Sequence, residues 1–217
     1  MNLAQGLLNW PQAVARQTHA ALFLPTLDMH PSQFERCIPP TLAPLSAASL
    51  SQALRTAQPD AWDSEFDGRQ LSHRLALLPR HVLADVAWHL GLVLHAPTLR
   101  QVVLREELDL LDRQGLDGSA WTLVFKAPTG TATSTALRER PVAQWSDGLR
   151  LSGEQSLIAL SQTLPPSLGQ RLRWKLPAAE ASGQPPAADL LSAAYTACVP
   201  AWSTDWDACL GDAFAPH

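Results

Sequence analysis

The sequence predicts a mainly α-helical fold with an irregular proline-rich N-terminal arm, a helical core built on a helix–proline–helix unit, and a minor β element near the C-terminal third. Three observations lead to this fold class. Apolar residues recur at intervals of three and four between prolines and glycines over most of the chain. Pro97 divides the most apolar segment, 85–108, into two helical halves. Residues 171–176 alternate basic and apolar side chains, which is typical of a strand.

Prolines interrupt the first 44 residues so often that only short helical pieces fit between them. We therefore predict an irregular arm over residues 1–44. Leu50 and Leu54 then lie at helical spacing in segment 46–57, which ends before Pro59. The following leucines, from Leu71 onward, predict a further helix, and Pro79 is placed to begin the next one.

The helix–proline–helix unit follows. Residues 86–94 are apolar on nearly every side, which predicts a helix surrounded by protein. Pro97 suits the first turn of a second helix, because a proline there lacks only a donor that would be unpaired in any case. That second helix is amphipathic, and we expect Gly115 to close it.

The rest of the chain contains four predicted features. Residues 121–126 are rich in β-formers and predict a weak strand or a short helix. The Thr/Gly/Ser-rich loop 128–135 is predicted to separate two halves, 45–127 and 136–217, of one domain spanning 1–217. Ser152 to Gln155 has the form of a capping box that begins a helix reaching about Leu164. Beyond the strand at 171–176, segment 187–199 predicts a helix stopped by Pro200.

Composition narrows the class of protein. Apolar residues make up 46% of the chain and charged residues only 17%, and the formal net charge is −4. No basic field is present for a phosphate backbone, so nucleic acid is not predicted as a partner. The three cysteines match no disulfide or metal spacing, which predicts reduced thiols. No export signal follows Met1 and no apolar run reaches about 20 residues, so we expect a soluble chain without direct membrane insertion.

The sequence contains no recognisable catalytic, metal-binding or nucleotide-binding motif. Asp85 and His89 share a helix face, but no HExxH or CxxC pattern accompanies them, and a metal site is not predicted. No GxSxG, GxGxxG or phosphate-binding loop occurs, so we predict no catalytic residues and no cofactor. The alternative is a small cytosolic enzyme or regulator with a pocket lined by His81, His89 and His95.

Tryptophans and acids supply the candidate partner-binding residues. The chain has eight tryptophans against one tyrosine, and tryptophan is enriched at binding hot spots. Trp62, Trp202 and Trp206 lie in acidic or terminal segments, where they either bind a partner or pack the segment onto the body. Glu106 and Glu107 belong to a charged helix face, which is either a partner-binding rim or only solvated.

The segment LGLVLHAPTLRQVVL, residues 90–104, resembles the SctK family of bacterial type III secretion systems, the Yop translocation protein K type. That family has a similar helix–break–helix segment with a Leu/Arg-rich second half. Residues 152–164 followed by RLRWKLP at 171–177 resemble its C-terminal pairing of an apolar helix with a basic segment. In outline the likeness covers residues 75–200.

The resemblance implies a function. SctK proteins are non-enzymatic scaffolds in the cytoplasmic sorting platform of the injectisome, at the cytosolic face of the inner-membrane secretion apparatus. They join the cytosolic domain of the ring protein SctD to the SctQ pods, which lead through SctL to the SctN ATPase. For this chain the resemblance therefore implies an adaptor in protein transport and virulence, with two protein-binding surfaces and no cofactor.

Overall fold

A computed structural model describes residues 11–57, 66–128, 135–180, 183–203, 205, 206 and 209. Over these residues the chain is mainly helical, which confirms the predicted class, and they include no strand. The helices in chain order are α1 (Gln12–Phe23), α2 (Pro31–Cys37), α3 (Ala47–Ala57), α4 (Leu71–Leu75), α5 (Arg80–Leu94), α6 (Ala96–Leu99), α7 (Arg105–Arg113), α8 (Gly118–Lys126), α9 (Thr135–Arg138), α10 (Trp145–Ser161), α11 (Pro166–Lys175) and α12 (Ala188–Trp202).

Helix α5 is the centre of the fold. Helices α10 and α12 pack along it, and α8 packs against it as well. Val86, Leu90 and Val93 of α5 are fully buried, which confirms that this helix is surrounded by protein. Because α8 comes from the first predicted half and α10 and α12 from the second, both halves share one core. Of the predicted loop 128–135, residues 129–134 lie outside the described residues.

Two glycines allow α5 and α10 to cross at close range. A methyl group at Gly91 would overlap the backbone carbonyl of Leu149, and one at Gly153 would overlap that of Ala87. The order of these contacts shows that the two helices are antiparallel at the crossing. The backbones therefore touch directly, which only residues without a Cβ permit.

The second half of the helix–proline–helix unit is interrupted. Pro97 occupies the first turn of α6, as predicted, but α6 ends at Leu99 and α7 begins only at Arg105. The prediction of one continuous helix to Gly115 is therefore wrong. Leu99 is fully buried, and the Arg100 guanidinium bonds carbonyls of α8, so tertiary contacts outweigh the local helical pattern. Gly115 does follow the end of α7, with φ of 96°.

The predicted minor β element is wrong, because residues 171–175 belong to α11. Pro166 begins that helix in its first turn. Leu172 and Trp174 are buried, but so are Arg171 and Lys175. The alternation of basic and apolar residues therefore does not separate an outer face from an inner one. A helix that is buried on nearly all sides can have the same alternating sequence pattern as a strand.

Other element boundaries also differ from the predictions. Ser152 lies inside α10, where its hydroxyl donates to the carbonyl of Gly148, so the capping box is wrong and α10 begins earlier, at Trp145. Residues 121–126 are helical in α8. Helix α12 continues past the predicted stop at Pro200 to Trp202, because Val199 and Trp202 pack in the main core.

The N-terminal arm is more regular than predicted. Within its described part, α1 fills the space between Pro11 and Pro25, and α2 begins at Pro31. Helix α3 agrees with the predicted helix at 46–57. Side chains of the arm and α3 surround Trp174 of α11 in a second, smaller core, whose buried members are Met29, Ile38, Leu50, Leu54 and Trp174.

Candidate protein-binding surfaces

The predicted partner-binding residues fall in different environments. Glu106 is exposed and Glu107 half-buried in the first turn of α7. Trp202, the last residue of α12, is partly buried, and its ring meets that of Trp206 edge-on at 5.1 Å. Trp206 is fully buried in the main core, so in this conformation it packs the C-terminal segment onto the body. Trp62 lies outside the described residues.

Two exposed apolar residues precede the two glutamates, with the exposed Arg105 between the two pairs. Val103 is 80% exposed and Leu104 60% exposed, in the connection between α6 and α7. We call these two residues together with Glu106 and Glu107 the α7 N-terminal surface. Val103 and Leu104 are not among the predicted partner-binding residues, because the sequence pattern places them inside a continuous amphipathic helix. Their apolar character was visible in the sequence, but their exposure follows from the break at residues 100–104.

A buried leucine fixes the position of the α7 N-terminal surface. Leu111 of α7 is fully buried and anchors the helix to the main core. The two glutamates lie where the positive end of the helix dipole stabilises negative charge. The surface therefore combines apolar contact area with a fixed acidic rim, an arrangement suited to a partner that presents apolar side chains beside basic ones.

A second candidate surface lies between α8 and α12. A groove of about 790 Å³ separates the two helices. Its walls are formed by Ser119, Thr122, Leu123 and Lys126 of α8 and by Asp189, Ser192, Ala193, Thr196 and Ala197 of α12. On the outer side of α8, Phe125 is 65% exposed and its ring lies 6.0 Å from that of Trp121. We call this feature the α8–α12 groove.

Helix α8 is fixed at both ends. The Asp117 carboxylate accepts hydrogen bonds from the backbone N–H groups of Ser119 and Ala120, at 2.9 and 3.0 Å. At the other end, the Arg100 guanidinium donates to the carbonyls of Val124 and Ala127, at 2.7 and 2.6 Å. Such bonds satisfy the groups that a helix terminus leaves free. The apolar outer face of α8 is therefore presented on a well-anchored helix.

The three histidines of the alternative hypothesis do not share a pocket among the described residues. His81 and His95 are separated by fourteen positions along α5, about 20 Å at 1.5 Å per residue. His81 lines a cleft with Arg80 and Glu154. His89 bonds the backbone carbonyl of Asp85 through Nδ1 at 2.7 Å. His95 lines a different cavity of about 150 Å³.

His95 and Ser152 form a hydrogen-bonded pair, with Nε2 and Oγ 2.9 Å apart. The Ser152 hydroxyl donates its hydrogen to the Gly148 carbonyl at 2.9 Å, so the imidazole is the donor to Ser152. Burial lowers the pKa of His95, which favours the neutral ring. A serine nucleophile needs a base that accepts its proton. This pair has the opposite polarity and links α10 to the end of α5.

Within the described ranges, no group of three or more His, Cys, Asp or Glu residues could hold a metal ion. Across those same ranges, every helix is too short or too polar to cross a lipid bilayer.

Comparison with known proteins produced no match to a family model, to a curated protein or to a solved structure.

Proposed function

We propose that this chain is a non-enzymatic adaptor of a bacterial type III secretion sorting platform, of the kind formed by the SctK family. In this role it links the cytosolic domain of the ring protein SctD to the SctQ pods, at the cytosolic face of the inner-membrane secretion apparatus. Through SctQ it connects indirectly to SctL and the SctN ATPase. It acts by holding two proteins at once and needs no cofactor.

The observation that carries the proposal is the α7 N-terminal surface. Val103 and Leu104 are the last two residues of the segment that resembles the SctK family, and both are largely exposed. Most of the surface of these two adjacent aliphatic side chains is open to contact with a partner. Beside two carboxylates, they have the composition of an apolar contact with a polar rim, as in protein interfaces.

An adaptor needs a second contact. Trp202 is our candidate, because it lies at the end of α12 and is only partly buried. Its ring contacts the buried ring of Trp206, and this contact restricts the orientation of the Trp202 side chain. A rigid aromatic side chain with a supported ring is a common anchor in protein interfaces. The two contacts are therefore expected to separate by mutation.

Binding of the purified SctD cytosolic domain and of SctQ tests the proposal. The double variant Val103→Ser/Leu104→Ser is expected to weaken one of the two contacts about tenfold or more. Reversal of Glu106 and Glu107 to lysine is expected to lower the association rate of that contact, more strongly at low salt, because rim charges act mainly on encounter. Val103→Ser/Leu104→Ser should melt near wild type, because both side chains are mostly exposed. The charge reversal should lower the free energy of unfolding slightly, because each glutamate loses a helix-dipole interaction of about 0.3–1 kcal/mol.

Leu27→Ser is the matched control, because Leu27 is 63% exposed in the N-terminal arm. It should leave both contacts unchanged. Absence of binding to both purified proteins at low and at high salt would end the adaptor proposal. Wild-type binding of both partners by the two variants would remove the α7 N-terminal surface from it.

A further inference from the structure

The α8–α12 groove has antiparallel walls. Asp117, before α8, is close enough to His89 of α5 for their charges to interact, and the last turn of α8 is bonded to Arg100 beyond the end of α5. Helix α8 therefore runs in the direction of α5. Cys198 near the end of α12 interacts with Asp85 in the first half of α5, so α12 runs in the opposite direction.

These directions place one cation and one anion opposite each other. Lys126 is the last residue of α8 and Asp189 lies in the first turn of α12. Because the walls are antiparallel, both residues lie at the same end of the groove, on opposite sides. Both are exposed, and no salt bridge joins either to another described residue.

Apart from Leu123 and these two charged residues, the walls are built from small side chains at helical spacing. Ser119, Thr122 and Lys126 repeat along α8, and Asp189, Ser192, Thr196 and Ala197 repeat along α12. The distance between packed helices depends on the side chains at their contact, and small ones permit close approach. The small side chains along both walls therefore allow a helix of another chain to approach closely.

We propose that the α8–α12 groove is the interface of a homodimer. A twofold axis running along the groove places α8 of each copy on α12 of the other, which makes an antiparallel four-helix bundle. The same rotation brings Lys126 of one copy onto Asp189 of the second, and Asp189 onto Lys126, in two equivalent ion pairs.

The charges are the reason for assigning a second copy as the occupant. A twofold interface uses the same surface on both subunits, so that surface must complement itself. Opposite charges facing each other across the long axis of the groove meet this condition. Leu123 of α8 and Ala193 and Ala197 of α12 add apolar area between the charged ends. This inference does not depend on the adaptor function, because the α7 N-terminal surface is not part of the bundle.

Sedimentation of the full chain over a series of concentrations tests the dimer. The wild type is expected to shift from monomer to dimer as concentration rises. Lys126→Glu and Asp189→Lys should each weaken dimerisation about tenfold, through like charges in contact. The combined variant Lys126→Glu/Asp189→Lys should recover the wild-type dissociation constant, because it restores both ion pairs in reverse.

A steric variant and its control complete the test. Thr196→Trp fills the groove and should abolish the dimer, whereas Thr56→Trp, at an exposed position near the end of α3, should not. A wild-type chain that stays monomeric at every concentration overturns the proposal. So does a dimer that tolerates Thr196→Trp, or one that the combined charge variant fails to restore. If the wild type is monomeric and Thr196→Trp abolishes its binding to SctD or to SctQ, the groove is the binding site for that protein instead.

Discussion

Lys175 connects three parts of the molecule through one buried ammonium group. Its Nζ donates to the carbonyls of Ala76 and Leu78, at 2.9 and 2.6 Å. It also lies 3.7 Å from a carboxylate oxygen of Asp28, and that carboxylate accepts the N–H of Arg80 at the start of α5. Burial lowers the pKa of Lys175 to about 8, against an ordinary value of 10.5. The charged form is therefore costly in the folded state.

This shift predicts a rise of stability with pH. Between pH 8 and 10.5 the unfolded chain binds more protons at Lys175 than the folded chain does, so the free energy of unfolding increases with pH. Between pH 8 and 9 the expected slope is about 1 kcal/mol per pH unit. Urea denaturation at a series of pH values measures it.

Two variants isolate the contribution of Lys175. Lys175→Met should lose the positive slope, because it has no proton to release. Burial, with a contribution from Asp85, raises the pKa of the Cys198 thiol to about 12 from 9.0. Above pH 9 the unfolded chain therefore loses the thiol proton that the folded chain keeps. This difference opposes the effect of Lys175, so the slope should weaken in the wild type. Cys198→Ala should remove that opposing effect. Equal pH profiles for wild type and Lys175→Met would contradict the assignment.

At the scale of elements, two glycines bring the backbones of α5 and α10 into direct contact where the helices cross. Gly91 and Leu149 meet at one point and Gly153 and Ala87 at another, one helical turn along each helix. Contact at two points sets both the distance and the direction of the crossing. The segment Leu90–Gly91 thus contributes a buried leucine to the core and a direct backbone contact to the crossing.

We predict that Gly91→Ala lowers the free energy of unfolding by about 3 kcal/mol or more, because the added methyl group must push two backbones apart. Thermal and urea unfolding measure the loss. Gly153→Ala should act similarly, because its methyl group also meets backbone. Alanine is otherwise the better helix former by about 1 kcal/mol, so the sign of the effect separates packing from propensity.

Gly118→Ala is the matched control for this prediction. Gly118 begins α8, and a Cβ there would meet nothing within 4 Å. The variant should be as stable as wild type or slightly more stable, within about 1 kcal/mol. If the Gly91→Ala protein has the same melting temperature as the wild type, the two helices cross at a greater distance than described.

At the scale of the whole molecule, α11 joins two cores. Leu168 and Leu172 belong to the main core around α5, whereas Trp174 belongs to the smaller core formed with the arm and α3. The backbone N–H of His30 donates to the Trp174 carbonyl at 2.8 Å. Segments α2 and α3 therefore pack on the body around Trp174 of α11, whereas α1 packs in the main core through Val14, Ala21 and Leu22.

We predict that Trp174→Ala loosens α2 and α3 before the main core. Loss of a buried tryptophan costs about 3–5 kcal/mol, and here the lost contacts lie mainly in the smaller core. Hydrogen exchange should accelerate in α2 and α3 much more than in α5 and α10. Trp88→Ala is the control, because Trp88 packs against the main core and should accelerate exchange around α5. Uniform acceleration by both variants would mean that the two cores unfold as one unit.

The sequence by itself determined the features that depend on local chemistry. The mainly helical class follows from periodicity, the buried character of α5 from its lack of a polar face, and the end of α7 from Gly115. Pro97 was placed correctly in a first helical turn, because its fixed φ and missing donor suit that position wherever the helix packs. These outcomes need only the residue and its near neighbours.

Tertiary structure alone decided which residues face inward. It also decided where a helix ends although the sequence pattern predicts that it continues. Residues 171–175 are helical because α11 is buried on nearly all sides, including its cations, and no local pattern records that. The break at residues 100–104 follows from bonds between Arg100 and α8, more than twenty positions away along the chain. The exposure of Val103 and Leu104, and thus the candidate surface, is a consequence of that break. Long-range contacts of this kind carry enough free energy to override local propensity, and they exist only once the chain has folded.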